Sequence, residues 1–115
     1  MFNFEKLDVW QKAVSFAGLV YRLTSGFPTD ERFGLTNQIR RAAVSISSNI
    51  AEGSARPPAD YARFVGYAAG SLYEVVTQTT IARNEGFLAT KDFELIYRDA
   101  EEISRMLSGL RKSLE

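Results

Sequence analysis

Val9, Ala13, Phe16, Val20 and Leu23 recur in steps of four and three, with Trp10, Val14, Ala17 and Tyr21 forming a neighbouring row. That is the period of an amphipathic helix with a wide apolar face. It predicts a first helix over about Val9–Ser25, N-capped by Asp8 and ended by Gly26-Phe27-Pro28. Thr29 then stands as the cap of a second helix, with Asp30 and Glu31 in its first turn, where the helix dipole favours negative charge. The second helix carries Phe33, Leu35, Ile39, Ala42, Ala43, Ile46 and Ile50 to a stop at Gly53. Ser54-Ala55-Arg56-Pro57-Pro58 forms the next break, since two prolines end one helix and can open another. A third helix spans roughly Ala59–Asn84 and ends at Gly86. In the last, which begins near Thr90, Phe93, Ile96, Ala100, Ile103, Leu107, Leu110 and Leu114 alternate three and four without a miss. Such a seam belongs to a helix lying nearly parallel or antiparallel to its neighbours. Short connections between helices of similar length predict an all-α, antiparallel up-down-up-down four-helix bundle, with residues 1–115 as one domain.

Composition narrows the chemistry more than it adds to the fold. The 115 residues contain neither cysteine nor histidine. Disulfides, zinc fingers, iron–sulfur clusters, histidine triads and cysteine nucleophiles are therefore excluded. The paired acids Asp30-Glu31 and Glu101-Glu102 are sequence neighbours that diverge on a helix, so they read as capping or solvated groups. No phosphate-cradling glycine loop and no carboxylate pattern adequate for a metal centre is present. Neither an enzyme nor a cofactor or metal is expected. Basic and acidic residues number 14 each, for a net charge of zero, which argues against a protein that coats nucleic acid indiscriminately. Met1–Lys12 has no apolar run of the secretory type, and Phe64–Ala82 is too polar to span a membrane, so a cytoplasmic location is expected.

The second and third helices are unusual for a bundle that stands alone. A helix in a monomeric bundle buries one stripe and charges the rest. From Ala42 to Ala51 there is no charge, and Ser45, Ser47, Ser48 and Asn49 stand where lysine and glutamate are expected. From Phe64 to Ala82 only Glu74 is ionisable. Gly66 and Gly70, four apart in the same helix, each cost about 0.8–1 kcal/mol against alanine and leave a smooth strip that admits another backbone. Gly66, Gly70, Ser45 and Asn49 are thus candidates for close helix packing, either inside the bundle or against a second subunit. Cover by a neighbouring subunit is the preferred expectation.

Specific stretches add a resemblance. Leu7-Asp8-Val9-Trp10-Gln11-Lys12-Ala13, Phe27-Pro28 and Phe33-Gly34-Leu35 precede Gln38-Ile39-Arg40-Arg41-Ala42-Ala43-Val44-Ser45-Ile46 and Ser48-Asn49-Ile50-Ala51-Glu52-Gly53. Phe64, Ala68, Gly70-Ser71, Glu74 and Thr77 follow in the third helix. Over nearly its full length the chain resembles the bacterial four-helix-bundle family encoded within intervening sequences of large-subunit ribosomal RNA genes. The stretch from Arg40 to Gly53 carries the likeness most specifically. The resemblance implies a homopentamer with a central channel. It also implies kinship to the accessory proteins of diversity-generating retroelements, basic barrels that bind nucleic acid and a reverse transcriptase. This chain departs from them in being neutral.

Three arginines are the nucleic-acid candidates. Arg40 and Arg41 are adjacent and point about 100° apart on a helix, so one faces a surface or channel while the other pairs internally. Glu74 is the natural partner for one of them, as a structural ion pair between helices. Glu52 sits at a helix C-terminus, where the dipole disfavours it, and so calls for a partner such as Arg56 or Asn49. Arg56, beside the start of the third helix, is a candidate anion contact, weakened by Pro57 and Pro58, which supply no amide. Arg22 and Arg63 extend the set. Repeated around a ring, even one arginine per copy creates a strong local field. Trp10, Tyr21, Tyr61, Tyr67, Tyr73 and Tyr97 offer stacking surfaces, but their helical spacing favours core or interface packing. Two expectations follow: a ring whose arginines contact structured RNA or DNA, or a protein-interaction scaffold that touches no nucleic acid. Exposure of Arg40, Arg41 and Arg56 favours the first, and their engagement in ion pairs the second.

Overall fold

The computed structural model describes all of residues 1–115. Four helices form: α1 (Asp8–Thr24), α2 (Leu35–Ser54), α3 (Pro58–Asn84) and α4 (Thr90–Ser113). Short 3-10 turns at Asn3–Lys6 and Thr29–Glu31 precede α1 and α2. Each helix packs on its two sequence neighbours around a square, with α1 against α4 closing it, and the diagonal pairs do not meet. This is the up-down-up-down bundle expected from the periodicity. It measures 43 × 22 × 22 Å, the long axis matching the roughly 40 Å length of the 27-residue α3. No helix is long and apolar enough to cross a membrane.

The core follows the predicted rows. Val9, Ala13, Phe16 and Val20 of α1 meet Ile39, Ile46 and Ile50 of α2. From α3 come Val65, Ala68, Leu72 and Val75, and from α4 come Phe93, Ile96, Ala100, Ile103 and Leu107. The second row of α1 is only half inside: Trp10 and Ala17 pack against the core, whereas Val14 and Tyr21 are exposed. The apolar face of α1 is therefore narrower than expected. Side chains with polar ends tie helices at the rim. Lys12 of α1 reaches Asp99 at 3.4 Å and Glu102 at 3.2 Å on α4. Burial works against its charge, yet the hydrogen bond to Glu102 and the proximity of Asp99 outweigh that and hold its pKa above the ordinary lysine value. Glu102 is thus an interhelical partner rather than a merely solvated acid.

The helix ends depart from expectation in two places. Leu7, not Asp8, occupies the cap of α1; Asp8 is the first helical residue and faces the positive end of the dipole directly. Thr29 does not cap α2. Thr29, Asp30 and Glu31 form their own 3-10 turn, and α2 starts four residues later behind Gly34, with no side-chain cap. Phe33 accordingly lies outside α2 and is 87% exposed. The end of α3 is as expected. Gly86 takes φ +82°, and the Phe87 N–H donates to the Ala82 carbonyl at 2.9 Å while the Gly86 N–H donates to Arg83 at 3.0 Å. Paired bonds of that kind close a helix whose next residue is left-handed, a conformation glycine adopts without strain.

Candidate functional site

The α2–α3 pair is the most extensive contact in the bundle, and it carries most of the candidate residues. Its polar seam is built by hydroxyls. Ser45 Oγ lies 2.7 Å from Ser71 Oγ across the two helices. Asn49 donates from Nδ2 to the Ser45 carbonyl at 2.8 Å and to Ser45 Oγ at 3.0 Å. Ser45 therefore ties α2 to α3 within one protomer, and Asn49 holds Ser45 from the same helix. Asn49 is spent in that seam and does not partner Glu52.

Arg40 and Arg41 point apart, and the structure assigns their roles. Arg40 is the inward one. Its Nε donates to Thr24 Oγ1 at 3.0 Å, one terminal nitrogen donates to the Tyr21 carbonyl at 3.3 Å, and the guanidinium lies 4.6 Å from the centre of the Tyr21 ring. It clasps α1, not Glu74. Arg41 is exposed, forms no ion pair, and lines a polar groove with Asn37, Gln38, Ser71, Glu74 and Gln78. Glu74 is exposed as well and makes no ion pair, so the expected interhelical bridge does not form. Exposure removes the need for it, because a solvated carboxylate keeps its hydration.

Arg56 is exposed but has acidic and aromatic neighbours. It reaches Glu52 at 3.9 Å and Asp60 at 3.7 Å, and it stacks 4.6 Å from the centre of the Phe64 ring. Glu52 thus has the partner its helix-end position called for. Two carboxylates beside Arg56 oppose a further anion there. Arg63 also pairs with Asp60, at 3.0 Å, while Arg22 is exposed and unpaired.

The glycines separate into two kinds. Around Gly66 and Gly70 nothing lies within 4 Å of where a Cβ would stand, so neither brings another helix of this protomer close. Gly53 is the glycine that does: a Cβ there would lie 2.6 Å from Phe64 Cβ. Gly70 sits on the outward face of α3, beside exposed Tyr67, Tyr73, Thr77 and Ile81. The tyrosines are not core residues; Tyr21, Tyr67, Tyr73 and Tyr97 are all exposed, and only Tyr61 packs against the core. Beside Tyr73, a mainly apolar groove of about 320 Å³ runs between α3 and α4, reaching Tyr97. No three carboxylates gather as a cation site requires.

A small antiparallel four-helix bundle with an uncovered small-residue and tyrosine face is the class of protein these features define. The model of the 23S rRNA-intervening sequence protein family matches residues 5–109, and the chain belongs to that family. It is similar in structure to a protein of unknown function from the S23 ribosomal protein family of Bacteroides thetaiotaomicron. That similarity has a TM-score of 0.83 at 24% identity, over 90% of this chain and 98% of that one. No curated protein gives a significant match.

Proposed function

We propose that this chain is a non-catalytic, self-associating bundle that acts as a scaffold, five copies forming the ring that the family resemblance implies. The outward face of α3 carries this reading. Gly66 and Gly70 stand open, and Tyr73, at 60% exposed, and Ile81, at 46%, flank a helix whose long central stretch has only one charge. Large exposed apolar side chains on a low-charge face are the composition of an interface core. The surroundings of two candidate arginines support a protein partner over nucleic acid, since Arg40 is bonded to α1 and Arg56 stands between the carboxylates of Glu52 and Asp60. Light scattering on the purified full-length chain is expected to give a mass near five times 12.9 kDa. A 12.9 kDa species at micromolar concentration would overturn the scaffold.

One observation favours a second reading, contact with structured RNA: Arg41 is exposed and carries no acidic partner. Five copies in a ring concentrate that charge on a neutral protein. Fluorescence anisotropy of a labelled RNA hairpin then shows binding that weakens steeply with salt, and Arg41→Ala flattens the slope. Absence of binding at about 50 mM salt rejects RNA contact and leaves the scaffold.

A further inference from the structure

Phe33 stands 87% exposed in the turn that joins α1 to α2, and the groove of about 320 Å³ between α3 and α4 is lined mainly by apolar side chains. We propose that the two are halves of one contact between copies of this chain. Arg32 and Phe33 of each copy seat in the α3–α4 groove of the next, a head-to-tail contact that rests on the self-association proposed above and supplies the two surfaces that meet. A single apolar side chain on a surface is ordinary. Phe33 differs in its neighbour. The Arg32 guanidinium lies 5.6 Å from the centre of the Phe33 ring, both residues are exposed, and Arg32 has no acidic partner. Aromatic and arginine side chains are the ones that anchor protein interfaces.

The groove matches that pair in size and in charge. Exposed Tyr73 and Tyr97 line it together with Val76 and the buried Ala100. A closed apolar cavity of about 150 Å³ already takes a benzene ring, so the groove has room for a phenyl ring with a guanidinium beside it. Glu101 is the one charged residue of the lining; it is exposed and forms no ion pair. The free cation next to Phe33 therefore has a free anion in the groove. Asp30 and Glu31 lie in the same turn as Arg32 and carry the wrong sign. Only an approach that sets Arg32 nearest Glu101 is favourable, which fixes the orientation of the contact.

Their placement makes the occupant a second copy. The α1–α2 pair forms one side of the square of helices and the α3–α4 pair the opposite side. Phe33 belongs to the first side and the groove to the second, so neither closes on the other within a protomer. Two different surfaces on opposite sides of a subunit make a heterologous contact, which repeats head to tail and closes into a ring or runs on as a filament. At Tyr73 and Ser104 the groove adjoins a second recess, of about 90 Å³, that includes Gly66. A neighbour anchored by Phe33 is thereby brought beside the open glycines of α3.

Sedimentation velocity over a concentration series of the full-length chain reads the association directly. Phe33→Ala is expected to raise the dissociation constant about tenfold or more while the helical circular dichroism signal stays whole, because Phe33 is exposed in the protomer. Arg32→Glu and Glu101→Arg, both at exposed positions, should each weaken association about tenfold, and the double variant should return to within about threefold of the parent. Such recovery arises only between copies, since the two residues stand on opposite sides of one bundle. A parent chain that sediments as a 12.9 kDa species overturns this contact and the scaffold together. A parent that assembles, with association unchanged by Phe33→Ala or with no recovery in the double variant, keeps the scaffold and overturns this contact, and the groove then belongs to a different occupant.

Discussion

Replacing Gly53 by alanine is expected to destabilise the bundle by about 1 kcal/mol net, the reverse of what glycine-to-alanine usually does inside a helix. On propensity alone the change gains about 0.8–1 kcal/mol. Against that stands a contact that cannot relax locally. The new Cβ lies 2.6 Å from Phe64 Cβ, 3.1 Å from Tyr61 Cδ1 and 3.3 Å from Phe64 Cγ. Phe64 Cβ is fixed to the backbone of α3, so no rotamer change moves it aside. The whole start of α3 has to shift away from the end of α2, and the three residues Ala55–Pro57 that join them allow little travel. Overpacking of this kind costs about 1–3 kcal/mol, and valine at the same place costs more. Thermal unfolding followed by circular dichroism should show the midpoint falling by about 5 °C for alanine. Shortening Phe64 to alanine in the Gly53→Ala background should recover part of the loss, as expected of two residues in direct contact. A raised midpoint for Gly53→Ala would mean that α2 and α3 do not cross at this glycine.

The same residue shows how far the sequence could be read. Gly53, Gly66 and Gly70 are alike as letters. Gly53 reads as a helix stop and the other two as a packing strip, yet the close approach is at Gly53 and the strip is open. Nothing local distinguishes them, because the difference is a distance to a residue on another helix. The α4 seam was legible because its cause is local: alternate steps of three and four put Phe93, Ile96, Ala100, Ile103 and Leu107 on one stripe, and all five are buried. The start of α2 was misplaced because Thr29, Asp30 and Glu31 suit a 3-10 turn as well as a helix cap, and Gly34 breaks the two apart. For the arginines, helix phase correctly separates Arg40 from Arg41. It does not give the partner of Arg40, which is a threonine hydroxyl and a backbone carbonyl, groups that leave no charge signal in a sequence.

Leucine at both Gly66 and Gly70 is expected to convert the assembled protein into single bundles without weakening the bundle itself. Within the protomer each glycine lowers helix stability by about 0.8–1 kcal/mol and nothing stands within 4 Å of its missing Cβ. Leucine, nearly as good a helix former as alanine, meets nothing at its Cβ at either position and should stabilise α3. A neighbouring subunit that lies against this strip meets two bulky side chains instead. Overpacking adds about 1–3 kcal/mol per interface, and each 1.4 kcal/mol is a factor of ten in the dissociation constant. A ring multiplies the effect, since every protomer brings the same change to its own interface. Light scattering should therefore give the 12.9 kDa protomer at concentrations where the parent chain is assembled, with the helical circular dichroism signal kept. The two readouts separate the causes. Loss of helical signal would trace the change to the fold, and unchanged mass with raised stability would remove the outward face of α3 from the interface. Loss of mass with an intact, equally or more stable protomer has one physical origin: the glycines that cost α3 stability are kept for the close approach of another chain.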